Sequence, residues 1–78
     1  MTIPRQYRFK DLVKLLRSYR IEWNPRKGKG SHGAFVGPDL KGNIQSYTLP
    51  RHQQREVKKR YIKGICDRFQ LDDSKLFG

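Results

Sequence analysis

His32-Gly33-Ala34-Phe35-Val36 and Ile44-Gln45-Ser46-Tyr47-Thr48-Leu49, joined by Gly37-Pro38-Asp39-Leu40-Lys41-Gly42-Asn43, decide the fold. Both outer runs alternate side chains with the period of a strand, and the stretch between them is dense in turn formers, so 32–49 reads as a β-hairpin. On the first strand His32, Ala34 and Val36 share one face and Gly33 and Phe35 the other. On the second, Ile44, Ser46 and Thr48 oppose Gln45, Tyr47 and Leu49, and the pattern leaves open which set is buried.

Upstream, Arg26 to Ser31 form a cationic, glycine-rich turn entered from Ile21-Glu22-Trp23-Asn24, a half-buried strand that Pro25 ends. Before it, Phe9, Leu12, Val13, Leu16 and Tyr19 recur at spacings of three and four, which predicts an amphipathic helix over Arg8 to Arg20. Residues 1–7 read as a basic lead-in. Downstream, Pro50-Arg51-His52 stop the third strand, and Val57, Tyr61, Ile62, Ile65, Cys66 and Phe69 predict a second helix over roughly 53–69. Gly64 weakens that helix by about 1 kcal/mol relative to alanine or permits close packing. Residues 72–78 read as a tail. The order is α-β-β-β-α in one α+β domain spanning 1–78, with a three-stranded antiparallel sheet and two helices on one face.

Lys and Arg number 18 against 7 Asp and Glu, giving a formal net charge of +11 and a sequence pI near 10.3. So small a domain repels itself at that charge, which points to a polyanionic partner, nucleic acid first and an anionic membrane second. No long apolar run is present, and the amphipathic stretches are needed for a core, so no membrane role is expected. Cys66 is the only cysteine and sits among apolar helical neighbours, and the N-terminus lacks the apolar stretch of a secretory signal. A reducing cytoplasm is the expected location.

The residues narrow the chemistry. Two histidines, one cysteine and singly scattered carboxylates offer too few ligands for a metal, so neither metal nor cofactor is expected. A phosphate-loop spacing is absent, and the glycine-rich turn enters a strand instead of a helix. RNA cleavage remains open without metal, because the ribose 2′-OH is a built-in nucleophile needing only proton transfer and cations. His32 suits the first need, and Lys27, Lys29 or Arg51 the second. His52 belongs to the start of the second helix or touches phosphate there. Trp23 and Tyr47 either pack in the core or stack on bases, packing being the ordinary outcome.

Three features together resemble the HicA toxins of toxin–antitoxin pairs. They are Leu12-Val13-Lys14-Leu15-Leu16 in the first helix, Lys29-Gly30-Ser31-His32 leading to Phe35, and Pro50-Arg51-His52 ahead of a basic helix with Ile62 and Ile65. The resemblance implies a fold like the double-stranded RNA-binding domain and the activity of an mRNA interferase, an endoribonuclease that blocks translation, with His32 catalytic. It implies a HicB-like antitoxin as partner. Gly30, Ser31, Lys27, Lys29, Arg51, His52, Lys58 and Lys59 are then the expected RNA contacts. Gly33 stands where many members carry a second histidine, and Gln53-Gln54 where many carry glycine. Two alternatives are a noncatalytic RNA-binding module of the same fold and a domain acting chiefly through an acidic protein partner.

Overall fold

The computed structural model describes residues 3–27 and 32–77, which form an α+β fold. Strand β1 (Gln6–Arg8) runs directly into helix α1 (Phe9–Arg17), followed by β2 (Glu22–Asn24), β3 (Gly33–Pro38) and β4 (Ile44–Leu49). A 3-10 turn (Arg51–Gln53), strand β5 (Glu56–Lys58), helix α2 (Lys59–Phe69) and helix α3 (Asp73–Phe77) complete the order. Strands β2, β3 and β4 make an antiparallel sheet in that order, while β1 and β5 pair as a separate antiparallel ribbon.

The register sets Trp23, Phe35 and Tyr47 opposite one another, so they form a row on one face of the sheet. Helices α1 and α2 cover that face. Phe9 of α1 meets Trp23 edge-on at 4.9 Å between ring centroids, and Leu12, Leu16, Ile62, Ile65 and Phe69 join Phe35 and Leu49 in one buried cluster. Each fully buried side chain of this size contributes roughly 1.5–3 kcal/mol, so the cluster is the main source of stability. Helix α2 comes close to β4 at Gly64, where an added Cβ would collide with the Tyr47 hydroxyl and lie 2.8 Å from its Cζ. The glycine's cost in helix propensity is thus offset by helix–sheet contact. Ile44, on the opposite face with Ser46 and Thr48, is 69% exposed, and the burial face of β4 is thereby decided as that of Tyr47 and Leu49.

Three expectations need correction. The basic lead-in contains β1, because Tyr7 pairs with Val57 of β5 and both turn inward, Val57 being fully buried. The second helix starts at Lys59 and not near 53: Val57 belongs to a strand, and the buried Gln53 side chain accepts a hydrogen bond from the Lys58 amide at 2.8 Å, holding the 3-10 turn against β5. The tail is largely α3. Asp72 caps it through Ser74, and Phe77 packs edge-on against Tyr7 at 5.2 Å.

The β3–β4 turn is built on Asp39, whose Oδ1 accepts the Lys41 and Asn43 amides at 2.9 and 3.0 Å and whose Oδ2 accepts Gln45 Nε2 at 3.1 Å. Gly42 supplies the left-handed turn residue at φ +85°. The Gln45 hydrogen bond, with help from the Asn43 and Lys41 amides, holds the Asp39 carboxyl below its ordinary value of 3.8. A lowered carboxylate contributes stability that is fully present above the unfolded value and lost as pH falls through the folded one. Thermal melts from pH 7 to 2 are therefore expected to fall below about pH 4, and Asp39→Asn to flatten that fall. Asp72, lowered by the Ser74 hydroxyl and amide, supplies a remainder. Parallel pH curves for parent and Asp39→Asn would refute the assignment.

Candidate nucleic-acid interface

His32 stands immediately before β3 and is half-buried. The β3–β4 ladder ends at Gly33 opposite Leu49, so the next residues out are His32 on one strand and Pro50 on the other. Pro50 leads into the 3-10 turn, which brings Arg51 and His52 to the same end of the sheet. Asn24 pairs with Ala34 beside them, and its carbonyl and Oδ1 accept the Lys27 and Arg26 amides at 3.4 and 2.9 Å, so exposed Lys27 also lies at that end. Lys29, Gly30 and Ser31 lie outside the described residues.

Gly33 is buried beneath Trp23. A Cβ there would run into the indole, with Cη2 at 2.7 Å and the Pro25 Cα at 3.0 Å. A second histidine following His32 has no room while Trp23 holds this position. Trp23 and Tyr47 are half-buried and pack against the core under the helices, and burial raises the Tyr47 hydroxyl above its usual value. Cys66 is buried, and that burial pushes its thiol up to about 11, which leaves no thiolate for nucleophilic chemistry near neutrality.

A groove of about 880 Å³ opens beside the β1–β5 ribbon. Of the expected contacts, His52 and Lys58 line it; His32, Lys27, Arg51 and Lys59 do not. His52 is exposed, with its ring edge-on to Tyr61 at 6.3 Å, and Tyr61 in turn lies beneath the Arg60 guanidinium at 5.1 Å. Lys59 is the exposed first residue of α2, its amide bonded to the Arg5 carbonyl at 2.9 Å. The groove adds Arg8, Lys10 and Arg55, which fall within the two helices predicted from the sequence. Nothing local could have grouped them, since Arg8 meets this region only through its pairing with Glu56.

Among the described residues no three His, Cys, Asp or Glu side chains are placed to hold a metal ion, and no helix is long and apolar enough to cross a membrane. The class that the fold and site define is a small basic α+β domain with a histidine at the sheet end and a cationic groove alongside. Comparison with protein-family models, curated proteins and solved structures finds no match to the chain.

Proposed function

We propose that this chain is a HicA-like toxin of the double-stranded RNA-binding-domain type, an endoribonuclease that cuts mRNA without metal. The observation that carries the reading is His32, half-buried at a strand entry, at the same sheet end as Lys27 and Arg51 in a domain of net charge +11. In the reaction the 2′-oxygen attacks the adjacent phosphorus and the P–O5′ bond breaks. The 2′-OH gives up its proton and the 5′-oxygen gains one, leaving a 2′,3′-cyclic phosphate and a 5′-hydroxyl. His32 carries one of these two proton transfers, and Lys27 and Arg51 offset the charge that builds on the phosphorane. A HicB-like antitoxin neutralises the domain by covering this cationic surface, and acidic character would suit it.

The test is cleavage of an unstructured RNA by the purified chain in EDTA, with the product ends identified. Cyclic phosphate and 5′-hydroxyl ends are expected. Ends carrying 3′-hydroxyl and 5′-phosphate, or binding without any product, reject the mechanism; the latter outcome selects the noncatalytic RNA-binding module.

A further inference from the structure

We infer that the groove beside the β1–β5 ribbon binds the sugar-phosphate backbone of single-stranded RNA, taking nucleotides that flank the phosphate at His32. The choice of RNA rests on the function proposed above; the position of the site does not.

Alternation along the ribbon turns Tyr7 and Val57 inward and leaves Arg8, Glu56 and Lys58 exposed on the other side. The Phe9 amide donates to the Arg55 carbonyl at 2.9 Å, which draws Arg55 and Lys10 to the same place. Arg8, Lys10, Arg55 and Lys58 therefore converge with His52 around a single carboxylate, Glu56. Among the described residues none of those four cations is in an ion pair. Glu56 offsets only one of these four positive charges, and the excess that is left is the footprint of an external polyanion.

Helix α1 starts at the groove with Arg8 at its cap position and no side-chain cap hydrogen bond, but its Phe9 amide is taken by the Arg55 carbonyl and Asp11 stands in its first turn, so the positive field comes from the side chains and not from the helix end. The lining also tells phosphate from other anionic partners. A protein interface is anchored by large apolar side chains, and a membrane surface takes them up beside the cations. Among the described residues Phe9 is the one large apolar residue in the lining, and it is half-buried with its ring against Trp23, while the exposed large apolar residues Tyr19, Leu40 and Ile44 do not line the groove.

The 3-10 turn leads along the chain from the histidine end of the sheet to the groove. Arg51 follows Pro50, the residue opposite His32; His52 lines the groove; and Gln53 ties the turn to Lys58. One strand can thus pass from His32 over Arg51 into the groove.

The experiment measures binding of a fluorescein-labelled, unstructured RNA oligonucleotide to the full chain as a function of salt, in a His32→Ala background so that the probe stays intact. Arg8→Ala/Lys10→Ala/Arg55→Ala is compared with Lys14→Ala/Lys63→Ala/Lys75→Ala, which removes equal charge from exposed sites outside the groove. Each single-strand phosphate contact contributes about 0.7 to the slope of log affinity against log salt, so the groove variant should lose about 2 and the comparison variant under 1. Lys58→Ala alone should lose about 0.7, which keeps the test decisive if the triple variant folds poorly. Equal losses in both triple variants, or a parental slope in the groove variants, overturn the inference. So does a groove variant that keeps RNA binding and loses only a copurifying acidic protein. Binding that needs the groove, in a chain whose parent cuts no RNA, upholds this inference and removes the ribonuclease reading. Cleavage with a groove-independent slope does the reverse.

Discussion

His32→Ala is expected to lower the single-turnover rate of RNA cleavage by a factor of about 10² to 10⁴, the usual contribution of one positioned acid–base group. At 1.36 kcal/mol per tenfold, that is about 2.7 to 5.4 kcal/mol of barrier. The loss should fall on the rate and not on binding, because affinity in a domain of +11 charge is spread over many cations, while a proton must move at one atom. RNA affinity should therefore stay within a few-fold of the parent. Circular dichroism melts separate lost chemistry from lost fold, since His32 is half-buried at the head of β3. In cells, expression of the parent should arrest growth and the variant should not. A variant that cleaves at the parental rate in EDTA would falsify the role given to His32.

Phe35→Ala should come close to unfolding the domain. The ring is fully buried at the centre of the sheet, between Trp23 and Tyr47 in register, and its centroid lies 4.9 Å from that of Trp23 and 6.1 Å from that of Phe9. Removing it leaves a void whose rigid neighbours cannot collapse, at a cost of about 3–5 kcal/mol. At about 0.05–0.15 kcal/mol per residue, a chain of 78 residues has roughly 4–12 kcal/mol to lose. Urea titration should show the midpoint drop by about a quarter or more, or no folded baseline at all. Ile44→Ala, at a position 69% exposed, is the matched control and should shift stability by less than about 0.5 kcal/mol. Similar midpoints for the two variants would mean that the sheet packs differently from the arrangement described.

Much of the frame is legible because its signals are short-range. Period-two alternation marks β3 and β4, and the bounds of β4 at Ile44–Leu49 coincide with its pattern. Leu12 and Leu16, one helical turn apart, announce α1, and Ile62, Ile65 and Phe69 announce α2. The hairpin turn is written in Asp39, Gly42 and Asn43, while Gly37 and Pro38, which read as turn formers, still pair with Gln45 and Ile44 in the sheet. His32 stands out for its residue type and its glycine-rich lead-in, much of which lies outside the described residues.

The remainder is decided by contacts between distant residues. Strands of three residues carry too little period to be read, and Gln6–Arg8 is a strand only because Glu56–Lys58 lies against it. Val57 has the spacing of a helix face and sits instead in that ribbon, since its burial opposite Tyr7 outweighs local propensity. Helix α3 holds because Asp72 caps it and Phe77 finds Tyr7. The same applies to the site. By itself the sequence determined a basic α+β domain with one histidine at a strand entry, because charge and periodicity are sums over neighbours. Which cations act together was decided by the tertiary structure alone: Arg8, Lys10, Arg55 and Lys58 share a groove because backbone pairing joins the two ends of the chain, and pairing at that separation leaves no local trace.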